Sequence, residues 1–504
     1  MAEGGAGDRL RAAWLLGATL VVSVAGLSYE LIAGTVSTYL LGDGVRQFSF
    51  VIGLFLSSMG VGAWASRWVG DAAVGFVRAQ VGLGLIGGTA AALAFAVFAA
   101  GGPVAPPLYG ALIAVGVLSG MEIPLLARLL ADLGAGRFRF ENVLSFDYLG
   151  ALLAALAFPV LIVPNLSLAA AGLAFGLLNL AVAGGTLWLF RDRLDRGTWA
   201  AWGGATALVA GLLAASGPMQ AALDARLYAD PVVVAQRTPF QTITVTRSAA
   251  ATRLFLDGAI QFDSRDEARY HEALVHPAMA QAPRRARVLI LGGGDGMALR
   301  EALRWGPERV VLVDLDPAVV GLFRDRDDLA ALNGFALRDP RVEVVHADAF
   351  TWVRDWRGEA FDVVVMDLPD PRTITLSRLY TAEFLGMVAR VAGGQGVMVT
   401  QASSPLFARE AFWITARTVG EAWDATPYRA YVPSFGMWGF VMGTKGLRPR
   451  QAPYPEGLSV WSPEAWAAAR AFDGGMGEVG TAVNRLATHA LPRAYARGWA
   501  EWFE

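Results

Sequence analysis

Long apolar stretches alternate with short polar breaks over the first 216 residues, and the pattern then changes. A helix needs roughly 20 apolar residues to cross a bilayer core. Seven stretches meet that length, near 13–40, 48–66, 79–100, 105–130, 143–163, 167–190 and 199–216. The first and fourth are long, and each leaves room for a break. Glycines recur inside them, as at Gly82, Gly84, Gly87 and Gly88, and small residues let helices approach closely in lipid. From residue 217 the apolar runs shorten. Those at 232–234, 242–245 and 254–256 are β-prone and split by turn residues, which predicts a small antiparallel sheet. Ala268, His271, Leu274 and Val275 fall at helical spacing over 266–279. From Arg287 strand and helix alternate. Buried-strand runs lie at 288–291, 310–313, 342–345, 363–366 and 396–399, with helices through Arg304, from Pro317 and near 382–391. That rhythm implies a parallel sheet whose ligands sit at the carboxyl ends of the strands.

Three regions follow: a transmembrane helical bundle over 1–216, a linker and small β-sheet over 217–263, and a Rossmann-like domain over 264–504. Composition supports the division. Residues 1–216 hold 22 Asp, Glu, Lys and Arg, and the other 288 residues hold 64. The first apolar stretch lacks a small-residue cleavage site and more spans follow it, so it does not read as a signal peptide. A net charge of −2 gives no hint of a nucleic-acid partner. With no Cys and four His, there are no disulfides, no thiol nucleophile and no pattern of metal ligands.

Arginine placement gives an orientation. Ten Arg lie at the N-terminus and in the second, fourth and sixth loops: Arg9, Arg11, Arg67, Arg78, Arg128, Arg137, Arg139, Arg191, Arg193 and Arg196. The other loops hold Arg46 alone. The N-terminus is therefore expected in the cytoplasm, as in an inner-membrane protein of several spans. Seven spans would then release the C-terminal domain on the far side. Three acids, Glu30, Glu122 and Asp147, fall inside the spans. Charged groups in lipid are costly and usually face a partner or a polar cavity. A cation-friendly pocket is one reading; ion pairs with loop Arg, or reach to the interface, are the other.

In the Rossmann-like region, 292–296 is Gly-Gly-Gly-Asp-Gly where the first strand turns into a helix. Gly292 and Gly294 allow a tight turn and close approach of a ligand. Asp314 ends the next strand, where a carboxylate can hold ribose hydroxyls, and Asp348 follows the third, where an acid can meet an adenine. This set suits NAD and adenosylmethionine enzymes alike. The glycine spacing is not the dinucleotide one, and Asp295 would repel a pyrophosphate but suit a cationic sulfonium nucleotide. Asp367 and Asp370 end the fourth strand. An amine nucleophile has a pKa of about 10 and must lose a proton before it attacks, which a carboxylate there can take. The plainer alternative makes Asp367 a helix cap and Asp370 part of a turn.

The runs 256–261 (Leu-Asp-Gly-Ala-Ile-Gln), 266–272 (Asp-Glu-Ala-Arg-Tyr-His-Glu) and 291–296 (Leu-Gly-Gly-Gly-Asp-Gly) resemble the spermidine synthases, the polyamine aminopropyltransferases, over about residues 232–445. The N-terminal stretch with Tyr29-Glu30-Leu31 resembles that of the family's membrane-fused members. The resemblance implies a class I methyltransferase-type fold. It also implies transfer of an aminopropyl group from decarboxylated S-adenosylmethionine, a co-substrate and not a resident cofactor, to a di- or polyamine such as putrescine. Methylthioadenosine would leave. By the same carry-over, Gln241, Tyr270, His271 and Asp295 surround the donor's aminopropyl arm, Asp314 holds the ribose and Asp348 the adenine. Asp367 activates the acceptor, Asp370 holds its charge and Gln401 touches it. The chain departs from the family where Asp314 replaces Glu, where Leu368-Pro369 replaces small polar residues, and where Phe435 replaces a Tyr that helps hold the acceptor. A methyltransferase on the same scaffold, and a polyamine transporter or sensor with a regulatory nucleotide domain, are the other readings. A homo-oligomer is compatible with the sequence. A far-side catalytic domain conflicts with a donor made in the cytosol. An extra crossing or re-entrant segment, delivery through the bundle, or a different donor would resolve it.

Overall fold

A computed structural model describes residues 2–42, 44–133, 140–218, 228–446, 452–480 and 482–503. The chain divides into two units, Met1–Asp230 and Pro231–Glu504.

The first unit is helical. Among the described residues seven of its helices are long and apolar enough to cross a membrane: α1 (Ala2–Leu41), α2 (Gly44–Trp68), α3 (Ala72–Ala99), α4 (Ala105–Asp132), α5 (Glu141–Asn165), α6 (Leu168–Leu189) and α7 (Arg196–Ala214). The breaks allowed for in the first and fourth stretches do not occur. α1 is continuous over 40 residues, and α4 runs through Pro124. Irregular turns lie elsewhere: π-helical at Leu83–Gly87 in α3 and Phe158–Ile162 in α5, and 3₁₀ at Ser66–Trp68, the end of α2. α3 also begins seven residues before the expected 79, because Asp71 caps it through the N–H groups of Ala73 and Val74. Arg78 therefore lies inside the helix, not in a loop. Arg137 and Arg139 lie outside the described residues.

Small residues set the helix spacing. A Cβ on Gly120 of α4 would lie 2.0 Å from the Met59 carbonyl of α2, and one on Gly62 would lie 1.9 Å from the Val117 carbonyl. Between α3 and α6, a Cβ on Gly176 would lie 2.5 Å from the Gly84 carbonyl, and one on Gly88 would lie 3.2 Å from the Gly176 Cα. Large apolar side chains, among them Leu56, Val61, Leu152, Leu156, Val160 and Trp188, face outward.

The second unit opens with a four-stranded antiparallel sheet in the order β1 (Val232–Arg237), β2 (Thr242–Arg247), β3 (Thr252–Leu256), β4 (Ala259–Asp263). The sequence pattern gave three of these strands; β4 pairs back on β3 through the Asp257-Gly258 turn, where both residues have positive φ. Helix α8 (Glu267–Gln281) leads into β5 (Arg287–Gly292), α9 (Met297–Leu303), β6 (Arg309–Asp314), α10 (Pro317–Asp325), β7 (Val342–His346) and α11 (Ala349–Asp355). Then come β8 (Val363–Asp367), α12 (Ala382–Val391), β9 (Val397–Gln401), α13 (Arg409–Gly420), β10 (Asp424–Val432), β11 (Gly436–Thr444) and α14 (Ala490–Phe503). The sheet is mixed, not wholly parallel as the βαβ rhythm implied. Its order is β10-β11-β9-β8-β5-β6-β7, and the β10–β11 hairpin runs antiparallel on one edge.

Alternation along β5 builds two cores. Val288 and Ile290 pack with α8, α9 and α10, while Leu289 and Leu291 pack with α12 and α13. Both faces are covered, which is why these strands read as unbroken apolar runs.

Candidate functional site

β5, β6 and β8 are parallel, so their carboxyl ends meet on one edge. Gly292 pairs with Asp367 across β5 and β8. Gly292 has φ +80°, and a Cβ there would sit 2.0 Å from the Asp367 carbonyl oxygen. Only glycine fits. Two residues on, the Gly294 N–H donates to Asp314 Oδ2 at 3.0 Å, and a Cβ would lie 2.8 Å from the Asp314 carboxyl carbon. The glycine turn is thus folded directly onto the two strand-end acids.

Helix α8 supplies the other wall. Tyr270 donates its hydroxyl to Asp367 Oδ1 at 3.0 Å. His271 Nε2 lies 4.0 Å from Asp367 Oδ2, and its Nδ1 bonds Glu267 one turn earlier at 2.8 Å. Arg300 of α9 reaches both oxygens of Glu267 at 3.0 Å. Burial by itself would push the His271 imidazole down. Glu267, backed by Asp367 and Asp295, overrides that and raises it to about 9. Burial would likewise push Glu267 up, but His271 and Arg300 hold it below the usual carboxylate range. Arg300, Glu267, His271 and Asp367 therefore form a line of alternating charge.

The acids facing the cleft are desolvated. Burial raises Asp295 to about 6 against the pull of His271, with Asp367 adding to the rise. Burial raises Asp367 as well, opposed by His271 and by the Tyr270 hydroxyl. Asp370 is raised to about 6 by burial, opposed by Gln401 and by Tyr495 from α14. Its Oδ1 is shut off from solvent with no hydrogen-bond partner among the described residues. Such a group is poised to take a cation.

The remaining sequence candidates sit as follows. Gln241 donates to Asp316 Oδ2 at 3.0 Å; Thr238 donates to the same oxygen, and the Asp316 N–H donates to Asp314. Gln241 thereby braces the strand end that carries Asp314. Asp348 caps α11 through the Thr351 N–H at 3.0 Å and pairs with Arg378. Gln401 is buried, its amide N–H spent on the Leu368 carbonyl and the Tyr380 hydroxyl and its oxygen accepting from Ser403 N–H. It shapes the Asp367–Asp370 segment. Phe435 stands edge-on to Tyr270, ring centres 5.8 Å apart. Its turn is fastened by Asp266, which accepts from the Ser434 N–H at 2.7 Å and hydroxyl at 2.9 Å.

Sequence reasoning missed Glu267, Arg300 and Tyr495. Glu267 had a signal, since it precedes His271 by one helical turn inside a quoted motif. Arg300 and Tyr495 had none, because only the tertiary fold brings them here. In the helical unit the structure brings Glu122 to Gln80 of α3, not to an Arg. Among the described residues none of Glu30, Glu122 and Asp147 pairs with Arg.

The chain matches the spermine/spermidine synthase domain model over residues 267–450. It is 44% identical to polyamine aminopropyltransferase 2 of Ralstonia nicotianae over 448 residues, covering 86% of this chain and 87% of that one. It is 39% identical to the polyamine aminopropyltransferase of Leptospira interrogans over 487 residues, covering 95% of this chain and 97% of the relative. A match of that extent includes the helical unit. A crystal structure of spermidine synthase in complex with the transition-state analogue AdoDATO is similar at 27% identity and TM-score 0.45, covering 48% of this chain and 85% of that one.

Proposed function

The chain belongs to the polyamine aminopropyltransferase family, and from that premise we propose how its residues divide the work. Aminopropyl transfer is the family's reaction; the relatives' names set aside the methyltransferase reading. The donor is decarboxylated S-adenosylmethionine. Its ribose lies on Asp314, its adenine near Asp348, and its charged aminopropyl arm among Asp295, Tyr270 and His271. The acceptor is a di- or polyamine, with one ammonium on Asp370 and the attacking amine at Asp367, beneath Phe435.

The amine nitrogen attacks the propyl carbon next to sulfur. The new C–N bond forms as the C–S bond breaks, and the bonding pair goes to sulfur. The sulfonium becomes the neutral thioether of methylthioadenosine. The amine's surplus proton passes to Asp367. Sulfonium is already a good leaving group, so positioning and charge carry most of the rate. The observation that carries this reading is the meeting of Tyr270, His271 and Asp367 at the edge of the glycine turn, with one oxygen of Asp370, Oδ1, without a partner among the described residues three residues on. The test is methylthioadenosine release by the detergent-purified protein from the donor and a panel of amines. Release must require both an amine and Asp367. Release without an amine, or unchanged release in Asp367→Asn, would overturn the assignment.

The helical unit is read as membrane-spanning. Seven long apolar helices among the described residues, outward-facing Leu, Val and Trp side chains, and Arg67 lying against both Trp64 and Trp68, at 4.4 and 4.7 Å, support this. By arginine placement the N-terminus is cytoplasmic. A topology reporter fused after Glu504 tests the parity: seven crossings require a far-side signal, and a cytoplasmic signal would require an eighth crossing or a re-entrant segment.

A further inference from the structure

The helical unit buries a second carboxylate that aminopropyl transfer does not use. Glu122 of α4 is 7% exposed and accepts a hydrogen bond from Gln80 Nε2 of α3. Asn179 Nδ2 of α6 donates to the Tyr29 hydroxyl of α1 at 3.1 Å, and Tyr29 lies within electrostatic reach of Glu122. Ser119 precedes Glu122 by one turn of α4 and faces Gly26 of α1, where a Cβ would lie 3.6 Å from its hydroxyl. Four helices therefore bring polar groups to one place.

Three atoms in that place, Gln80 Oε1, Asn179 Oδ1 and Ser119 Oγ, are closed to solvent with no hydrogen-bond partner among the described residues. Gln80 is 0% and Asn179 1% exposed. In this orientation the Gln80 N–H meets the Glu122 carboxyl and leaves the amide oxygen without a partner among the described residues. The lining is a carboxylate, two amide oxygens and a hydroxyl. Acceptors of this kind are satisfied by a group rich in N–H donors. Next to Tyr29 lies a cavity of about 20 Å³ walled by Ile32, Val36, Gly87, Leu108, Leu112 and Val115. It has room for one water- or methylene-sized group. The π turn at Leu83–Gly87, three residues after Gln80, sets Gly87 against the Tyr29 ring; such turns often accompany functional sites.

We propose that this cluster binds the primary ammonium end of an aliphatic amine, separately from the transfer site. Glu122 supplies the counter-charge, and Gln80, Asn179 and Ser119 accept its N–H groups. Calcium and magnesium ions take six or more oxygens, more than the four groups here provide, and zinc sites are built mainly on His and Cys.

The test is equilibrium dialysis of the full-length protein in detergent with radiolabelled putrescine. The unaltered chain is expected to bind two putrescines. Asp367→Asn with Asp370→Asn should leave one, and adding Glu122→Gln should remove it. Glu122→Gln alone should lower the count to one and leave kcat and KM for transfer unchanged. Should Glu122→Gln fold poorly, Ser119→Ala is expected to weaken the second site at least fivefold. A count of one in the unaltered chain that Asp367→Asn with Asp370→Asn abolishes, or a second site indifferent to both changes, would overturn the proposal and leave a water-filled cluster. Displacement by equimolar sodium chloride would overturn it in favour of a metal cation. Failure of the transfer-site assignment reads differently, as binding that Asp367→Asn and Asp370→Asn do not reduce.

Discussion

Each unit buries acids, and each stabilises them in a different way. In the catalytic unit Glu267 stands between Arg300 and His271, and His271 between Glu267 and Asp367. Opposite charges offset the loss of water along that line. In the helical unit Glu122 has a neutral amide for a partner and unpaired oxygens for neighbours. Burial is similar; the chemistry of the neighbours is not. A charge line of this kind fixes protonation and geometry for a reaction, whereas a pocket of acceptors is set up for a ligand that brings its own charge.

The contrast can be broken at its reactive end first. Asp367→Asn should lower kcat for transfer by roughly 10²–10⁴-fold, the range for removing a general base, with donor binding retained by equilibrium dialysis. Next, Gly120→Ala should destabilise the helical unit, because the new Cβ would lie 2.0 Å from the Met59 carbonyl. An overpacking cost of about 1–3 kcal/mol is expected, read as a lower melting temperature in detergent with kcat at low temperature unchanged. A parallel fall in kcat would show that the units are energetically joined.

Glu267→Gln has a subtler signature. His271 sits at about 9, above its ordinary 6.5. Its pairing stabilises the fold fully below pH 6.5 and fades as pH rises through about 9. The variant should lose that slope in urea titrations run across the window, and the alkaline limb of its rate profile should move to lower pH. A profile that does not move would remove His271 from the charge line. The smallest effect is expected of Phe435→Tyr, which adds one hydroxyl. KM for putrescine should change by roughly fivefold, about 1 kcal/mol, with the donor KM unchanged.

What the sequence made legible follows from range. The apolar helices and the strands β5 to β9 are local patterns, and their centres were readable from periodicity. So were Gly292, Asp314 and Asp367, because a strand end is a local address. The β10–β11 hairpin was not, since Pro427 interrupts β10 and its place on the sheet edge depends on a partner strand. Tyr495 comes to Asp370 from a helix more than a hundred residues later, and nothing in its surroundings announces it. Gln401 and Asp348 were named as ligand contacts by resemblance. The bonds they make inside the chain could be read only from coordinates.

Asp266 accepts both donors of Ser434 and so anchors the turn by a hydroxyl and the main chain, leaving the neighbouring Phe435 ring out of the fastening. Residue 435 is thereby a replaceable tile on a fixed frame. A lineage could exchange it by a codon change and try new amines while the nucleotide half stays as it is. The frame itself would loosen with Asp266→Ala, which removes both bonds at once.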